Sequence, residues 1–495
     1  MPAQPQWRLI GALTLAAAAL ASSASGPGGP RLALEPCRLE HPYGLGSVPA
    51  RCGRLAVAED PGSPTGRKID LAIAVVPAVS ARAKPDPLFL IAGGPGQGAR
   101  DSFVGVLGAL GSVRRDRDIV LVDQRGTGGS NAMQCEFPPE AVEADADPEK
   151  LRQLALECLA KLPGDPRFYT TSAAVRDLEA VRAALGYARI NLYGASYGTR
   201  VAQHYLRRYP ARTRAVVLDG VVDPALALGP AMALDAEAAL RAALARCATS
   251  PDCVARYPDI ATEFDALRRR LASAPVRVSI PDPVSAQPRD VDFTAGHLAL
   301  AARMLVYSDI SASLLPLLIH EAAARDNFAP LAAQTEMLRE QLEDALAYGM
   351  HNSVVCSEDL PFVDASALDR DALGRTFLGS SLLEGMSAMC EVWPRGPVDE
   401  DLKAPLRGSA VPALLLSGEL DPVTPPRYAA AAAAGFTDQA QVIFKGQGHV
   451  QLGLRCAQGL IRHFLDAGTA AGLDASCADA IGPAPFFLDF SGSAP

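Results

Sequence analysis

Short runs of mostly apolar residues, each followed by a turn that contains glycine, constrain the fold of this chain more than any other feature. Such runs are typical of strands buried on both faces, as in a parallel sheet covered by helices. Helical patterns at 173–185 and 199–208 alternate with them, which predicts an α/β fold. The runs are "PLFLIAGGPG" (87–96), "DIVLVDQRG" (118–126), "INLYG" (190–194) and "AVVLDG" (215–220).

Further strands are expected on either side of a long interruption. Two lie early, at 54–57 and 69–76, and two lie late, at 412–418 and 441–446, before a closing helix at 451–465. The interruption carries mainly helical patterns and is far longer than a crossover needs. We therefore expect three units after the N-terminal segment: the first part of the core at 31–223, an inserted helical cap at 224–395, and the second part of the core at 396–495.

The N-terminal residues 1–25 have the pattern of a secretory signal peptide. Arg8 precedes an apolar run at 9–21, which is followed by small residues suited to cleavage. The run is shorter than the roughly 20 residues that span a bilayer. The mature protein is therefore expected to be exported, to the periplasm or the medium, without a membrane anchor.

The ten cysteines agree with export, because disulfides persist in oxidising compartments. They contain no CxxC pair and no Cys/His cluster at zinc spacing, so no metal site is expected. The sequence does not fix the connectivity, but pairing neighbours in chain order would close five short loops. Those pairs are Cys37 with Cys52, Cys135 with Cys158, Cys247 with Cys253, Cys356 with Cys390, and Cys456 with Cys477.

Charge and motifs exclude several classes of partner. The net charge of −9 comes without blocks of Lys or Arg, which argues against nucleic acid and anionic membranes. The glycine loop "AGGPGQG" (92–98) is not followed by GK[ST], and GxGxxG is absent, which argues against a nucleotide cofactor. We expect no cofactor. The oligomeric state is left open.

The stretch "GASYG" places Ser196 between two glycines, after a predicted strand and before a predicted helix. This is the setting of a nucleophilic serine held on a sharp turn with its hydroxyl exposed. The oxyanion that forms on attack needs fixed donors. The amide of Tyr197, together with an amide of the glycine loop, that of Gly94, is the expected pair.

A serine nucleophile needs a base and an acid that orients the base. His449 in "KGQGHV" follows the last strand in a loop flanked by glycine, and Asp421 in "SGELDPVTP" follows the preceding strand. Asp219, at the end of "VVLDG", is the alternative acid. Thr424 could hydrogen-bond Asp421 or the histidine loop, or merely cap a helix.

Taken together, "AGGPGQG", "DQRGTGGSN", "NLYGASYGTR", "SGELDPVTP" and "GQGH" resemble, in this order, the secreted tripeptidyl and prolyl aminopeptidases of the α/β-hydrolase fold. The resemblance implies a mostly parallel, eight-stranded sheet, a helical cap, and a serine exopeptidase acting at free peptide N-termini. It also implies a TAP-like region from about Val354 onward. Cytoplasmic prolyl aminopeptidases have histidine where this chain has Ala92, which favours the larger secreted branch.

Recognition of a protonated α-amine calls for a carboxylate in the cleft. Glu358 and Asp359 in "VVCSEDLPF" are the candidates, with an exposed acidic pair that caps a helix as the alternative. Two other functions remain open from the sequence. One is a secreted esterase or lipase with the same catalytic residues, and the other is an inactive hydrolase fold used for binding.

Overall fold

The computed structural model describes residues 32–42, 44–135, 147–282 and 285–493. The expected signal peptide at 1–25 lies outside the described residues.

The main sheet runs through the centre of the molecule and has nine strands, in the order β1-β2-β3-β5-β4-β6-β7-β10-β11. The strands are β1 Glu35–Glu40, β2 Ser47–Ala58, β3 Lys68–Val76, β4 Leu88–Ile91, β5 Ile119–Val122, β6 Ile190–Ala195, β7 Thr213–Asp219, β8 Val276–Pro281, β9 Pro288–Phe293, β10 Ala413–Gly418, β11 Gln439–Phe444, β12 Phe487–Asp489 and β13 Gly492–Ser493. Strands β8 and β9 pair separately as a hairpin, as do β12 and β13.

The sheet is parallel from β5 through β11 and antiparallel at its N-terminal edge, where β1, β2, β3 and β5 pair in turn. Every residue of β4, β5 and β6 is buried, as their continuous apolar runs predict. The expected count of eight strands is wrong by one. The additional strand, β1, pairs with β2 at the sheet edge, and its residues are largely exposed, so it carries no apolar run.

Helices cover both faces of the sheet and also form most of the segment between β7 and β10. They are α1 Ala99–Val104, α2 Gly111–Arg114, α3 Pro148–Lys161, α4 Thr171–Leu185, α5 Tyr197–Arg208, α6 Pro230–Thr249, α7 Pro251–Arg256, α8 Ile260–Ser273, α9 Ala295–Leu305, α10 Asp309–Ala312, α11 Leu315–Arg325, α12 Ala329–Ala345, α13 Tyr348–Val354, α14 Arg370–Arg375, α15 Ser381–Val392, α16 Pro426–Ala433 and α17 Arg455–Ala467. Alternate residues of each strand point to opposite faces. Phe89 and Ile91 therefore pack in one core with α4, α5 and α16, while Leu88 and Leu90 pack in another with α1 and α17.

The segment between β7 and β10 builds a third hydrophobic core, formed by residues of α6–α9, α11, α12 and the β8–β9 hairpin. The residues after α12 in this segment belong to a different core. Ala347, Met350 and Val354 belong to the core beneath the sheet, with β4, β6 and α5. Residues within the expected cap range thus lie against the body of the protein, close to the carboxyl ends of the strands.

The disulfides pair the cysteines in chain order, as expected: Cys37–Cys52, Cys135–Cys158, Cys247–Cys253, Cys356–Cys390 and Cys456–Cys477. Within the described parts of the chain, none of the helices is both long and apolar enough to cross a membrane.

Candidate active site

Ser196 lies at the turn between β6 and α5, in a backbone conformation that non-glycine residues rarely adopt, with φ 55° and ψ −125°. Its amide donates to the Asp219 carbonyl of the neighbouring strand at 2.9 Å. Its own carbonyl accepts from the Thr199 amide at 2.8 Å and from the Thr199 hydroxyl at 2.7 Å. These bonds hold the sharp turn that the sequence predicts for a nucleophilic serine.

The glycines on either side of Ser196 let α5 begin against the sheet. A Cβ on Gly198 would lie 2.3 Å from the Ile91 carbonyl oxygen of β4, and a Cβ on Gly194 would lie 2.4 Å from the Gly198 oxygen. Both distances are far below van der Waals contact, so only glycine allows this close approach.

His449 and Asp421 meet directly. Nδ1 of the imidazole lies 2.7 Å from Oδ2 of Asp421, and the Thr424 hydroxyl, which donates to the same carboxylate oxygen at 2.8 Å, is 3.1 Å from Nδ1. Asp421 Oδ1 accepts the amides of Val423 and Thr424 at 2.8 and 2.7 Å. The carboxylate is thus fixed from its own loop and turned toward the ring.

The electrostatics of this pair favour charge on both members. Burial disfavours a charged imidazole, but the charge and hydrogen bond of Asp421, aided by the charge of Asp219, raise the pKa of His449. Burial also opposes ionisation of Asp421, yet the charge and hydrogen bond of His449 and the two loop amides hold the pKa of Asp421 below its usual range. The pair can therefore stabilise an imidazolium.

Asp219, the alternative acid, does not contact the imidazole nitrogen. Both of its oxygens accept the Gln451 amide, at 2.8 and 2.9 Å, and Oδ2 also accepts the Tyr193 hydroxyl at 2.7 Å. Burial raises the pKa of Asp219 to about 6 despite these hydrogen bonds. Asp219 therefore anchors the loop that carries His449, because it binds the amide of Gln451, two residues after the histidine.

The imidazole lies beside the serine turn. A Cβ on Gly220, the residue after Asp219, would be 2.8 Å from Cε1 of His449, and Asp219 itself pairs with the Ser196 backbone. Because Nδ1 faces Asp421, Nε2 is the nitrogen left for the serine. Within the described residues neither Nε2 nor the Ser196 hydroxyl makes a hydrogen bond, and such bonds often close only when substrate binds.

The glycine loop 92–98 packs against the nucleophile from the other side. A Cβ on Gly93 would lie 3.0 Å from Cβ of Ser196, and Gly94 has φ 102°, a conformation suited to glycine. The amides of Gly94 and Tyr197 donate to no residue in the part of the chain that the structure describes. Both predicted donors are therefore available to an oxyanion formed beside Ser196.

The expectation that Glu358 and Asp359 bind a substrate amine is wrong, because both are 0% exposed and fully engaged inside the protein. Glu358 accepts the amide and hydroxyl of Thr171, at 2.5 and 2.7 Å. Asp359 accepts both terminal nitrogens of Arg200, at 3.1 and 2.8 Å, and the Lys403 ammonium at 2.8 Å. They form a buried polar cluster below α5 rather than the wall of a cleft.

Two features of the site carry no sequence signal that would reveal them. The Tyr307 carbonyl, after α9 of the cap, accepts the His449 amide at 2.7 Å, and the two rings meet edge to face at 5.4 Å. The Tyr197 hydroxyl lies 2.6 Å from the Thr171 hydroxyl. Arg200 in "ASYGTR" is the one hint of the buried cluster, since an arginine beside a buried turn needs an acidic partner.

The comparisons with known proteins agree with this geometry. The family described as alpha/beta hydrolase fold matches residues 86–247, and the family described as TAP-like protein matches residues 375–477. The TAP-like match thus begins later than the expected start near Val354.

Curated relatives match part of the chain. Serine protease Hip1 of Mycobacterium tuberculosis (strain ATCC 25618 / H37Rv) is 32% identical over 205 residues, which is 38% of this chain and 39% of that protein. Tripeptidyl aminopeptidase of Streptomyces coelicolor is 32% identical over 194 residues, 36% of each chain. Carboxylesterase B of Mycobacterium tuberculosis (strain CDC 1551 / Oshkosh) is 29% identical over 246 residues, 44% of this chain and 47% of that protein.

Each of these matches spans less than half of the relative's length. The two family matches, the mainly parallel sheet with helices on both faces, and the serine turn point to the same conclusion. The chain has the α/β-hydrolase fold, with an alpha/beta hydrolase region at 86–247 and a TAP-like region at 375–477.

Proposed function

We propose that the protein is an exported serine aminopeptidase that releases short peptides or single residues from the free N-terminus of peptides. The observation that carries the proposal is the 2.7 Å contact between Asp421 and His449 beside the strained turn of Ser196. The relatives named as a serine protease and a tripeptidyl aminopeptidase support peptides as the substrate class.

In the proposed reaction, His449 Nε2 takes the proton of the Ser196 hydroxyl as the oxygen attacks the scissile carbonyl carbon. The amides of Tyr197 and Gly94 bind the resulting oxyanion. When the tetrahedral intermediate collapses, the imidazolium gives its proton to the leaving amine and the acyl group stays on Ser196. Water, deprotonated by the same imidazole, then hydrolyses the ester and restores the serine.

Export is the second part of the proposal. The signal-peptide pattern at 1–25 and the five disulfides support it, because disulfides are stable outside the cytosol. N-terminal sequencing of the protein from fractionated cells and medium tests it. A mature chain that begins near residue 26 is expected, and a cytosolic protein that retains Met1 would contradict export.

An esterase is the second candidate function, favoured by the relative named Carboxylesterase B. The same catalytic residues cleave esters, so the two functions are distinguished by which substrate is hydrolysed. We expect tripeptide 4-nitroanilides with a free amine to be hydrolysed, and their N-acetylated forms to be hydrolysed about ten- to a hundredfold more slowly, because a lost hydrogen bond to a charged group typically costs about 1.5–3 kcal/mol. Equal rates, or hydrolysis of 4-nitrophenyl esters alone, would favour the esterase.

A catalytically inactive hydrolase used for binding is tested separately. A fluorophosphonate probe should label the native protein at Ser196 and leave Ser196→Ala unlabelled. The two proteins should have the same melting temperature, since the substitution removes one partly exposed hydroxyl. Failure of the native protein to react would support a binding role.

A further inference from the structure

The segment 347–359 crosses from one loop of the candidate oxyanion hole to the helix that carries the other. At its first end the Ala347 amide donates to the Gly96 carbonyl at 2.9 Å, and Nδ1 of His351 donates to the Pro95 carbonyl at 3.1 Å. Both acceptors belong to the glycine loop that supplies the Gly94 amide. This end of the segment therefore fixes the backbone of that loop.

The other end of the segment reaches α5 through a buried chain of hydroxyl groups. Glu358 accepts the Thr171 hydroxyl at 2.7 Å, and the Thr171 oxygen lies 2.6 Å from the Tyr197 hydroxyl. Because the threonine proton is used toward the carboxylate, its oxygen is the acceptor for Tyr197. Thr171 and Tyr197 are 0% and 1% exposed, so water does not compete for these bonds.

Tyr197 is the residue whose backbone amide is the predicted oxyanion donor on α5. It is also the first residue of α5, where no preceding helical turn restrains it. Its side chain packs in the core with β4 and β6 and reaches Thr171 through its hydroxyl, so it ties the start of α5 to the rest of the protein. An oxyanion donor acts through its placement, and displacement by a fraction of an ångström weakens the bond to the transition state.

Burial of the Glu358 carboxylate costs free energy, and packing alone does not require a charged group at this position. A fully buried carboxylate must be compensated, and Arg200 lies 3.9 Å away while also holding Asp359. The Cys356–Cys390 disulfide anchors the same stretch to α15. Such a rigid, charged support is expected where a hydrogen-bond chain must hold one geometry.

We infer that Glu358, acting through Thr171 and the Tyr197 hydroxyl, is a positioning residue that sets the Tyr197 amide in the oxyanion hole. The inference rests on the proposed acyl transfer at Ser196 but not on the choice between peptide and ester. The acidic motif "VVCSEDLPF" then serves catalysis from inside the protein rather than by binding substrate.

The experiment compares Tyr197→Phe, Thr171→Val and Thr171→Ser with the matched control Tyr205→Phe. Tyr205 is a fully buried tyrosine on the same helix, and its hydroxyl donates to Glu179 at 2.8 Å, away from the serine turn. Each protein is measured for its rate of inactivation by a fluorophosphonate, for kcat and KM with 4-nitrophenyl acetate, and for its melting temperature. The first two reactions need the oxyanion hole whatever the natural substrate is.

Tyr197→Phe and Thr171→Val should each lower kcat and the inactivation rate about tenfold with KM unchanged, which is less than the loss of a whole oxyanion donor. Thr171→Ser should restore both rates, and Tyr205→Phe should keep them while losing similar thermal stability. The inference is overturned if Tyr197→Phe is as active as Tyr205→Phe, if kcat tracks melting temperature across the set, or if the native protein does not react. A native protein that reacts with the probe but spares free-amine peptides would refute only the aminopeptidase.

Discussion

Asp421 and Asp219 lie on either side of the histidine loop and have opposite electrostatic tendencies. Asp421 accepts from a ring that becomes positive, so the pKa of its carboxyl is held below the usual range. Asp219 accepts only neutral donors, and burial raises the pKa of its carboxyl to about 6. At the scale of single residues, the division of roles is thus set by what each carboxylate contacts.

Asp421→Asn should reduce kcat by about 10⁴, because the amide cannot stabilise the imidazolium or fix the correct tautomer. Asp219→Asn should cost less than about tenfold, because the amide oxygen still accepts the Gln451 amide. Steady-state kinetics on a tripeptide 4-nitroanilide compare the two. If Asp219→Asn proved the more damaging, the acid would have to be reassigned.

The raised pKa of His449 has a direct consequence for the pH profile. Only the neutral ring accepts the serine proton, so kcat/KM should fall as pH drops through a value above the ordinary 6.5 of histidine. Asp421→Asn removes the largest favourable charge, and the acidic limb of its residual activity should move to lower pH. A limb that stays in place would show that Asp421 does not control the protonation of the ring.

At the scale of helices and strands, the serine turn depends on the distance between α5 and β4. Gly198→Ala would place a Cβ 2.3 Å from the Ile91 oxygen, and neither backbone can move freely. We expect a loss of about 2 kcal/mol or more and a fall in activity. Gly459→Ala in α17 is the control, since a Cβ there would meet no atom within 4 Å beyond its chain neighbours and the backbone of its own helix.

Gly459→Ala should raise stability by about 0.5–1 kcal/mol, because alanine loses less entropy than glycine in a helix. Thermal unfolding measures both variants. Equal effects would mean that general helix propensity, rather than the approach of α5 to β4, decides the cost at position 198.

The meeting of the candidate site loops could be predicted from sequence because parallel strands end at one edge of a sheet, and loops that follow them meet there. Ser196 and Asp421 each follow a strand that is buried throughout, and His449 follows the partly exposed strand β11 at the sheet edge. Strand β1 lacks such an apolar run. It is held at the sheet edge by its pairing with β2 and by the Cys37–Cys52 disulfide. Its presence depends on partners that the local pattern does not reveal.

Glu358 and Asp359 show the same limit for side chains. As an isolated pair they have the composition of a solvated helix end. Their burial depends on Arg200, Lys403 and Thr171, which reach them from distant parts of the chain. Only the folded arrangement reveals that the two acids face inward.

At the scale of the whole molecule, the disulfides close loops of very different length. Cys356 and Cys390 are separated by 34 positions, whereas Cys247 and Cys253 in the cap are separated by 6. Replacing the first pair by serine should cost about 4 kcal/mol, and replacing the second about 2 kcal/mol, because a longer loop restrains the unfolded chain more.

Melting temperatures of the two double-serine proteins check this order, with the native protein under the same conditions as reference. A larger loss for the Cys247/Cys253 variant would show that native packing in the cap, rather than the entropy of the unfolded chain, dominates the contribution of these bonds.

The hydrogen bond from the His449 amide to the Tyr307 carbonyl joins the loop of the candidate base to the cap. Displacement of Tyr307 would break this bond and the edge-to-face contact, and so remove two restraints on the imidazole. The position of the candidate base therefore depends on how the cap packs against the core as well as on its own loop.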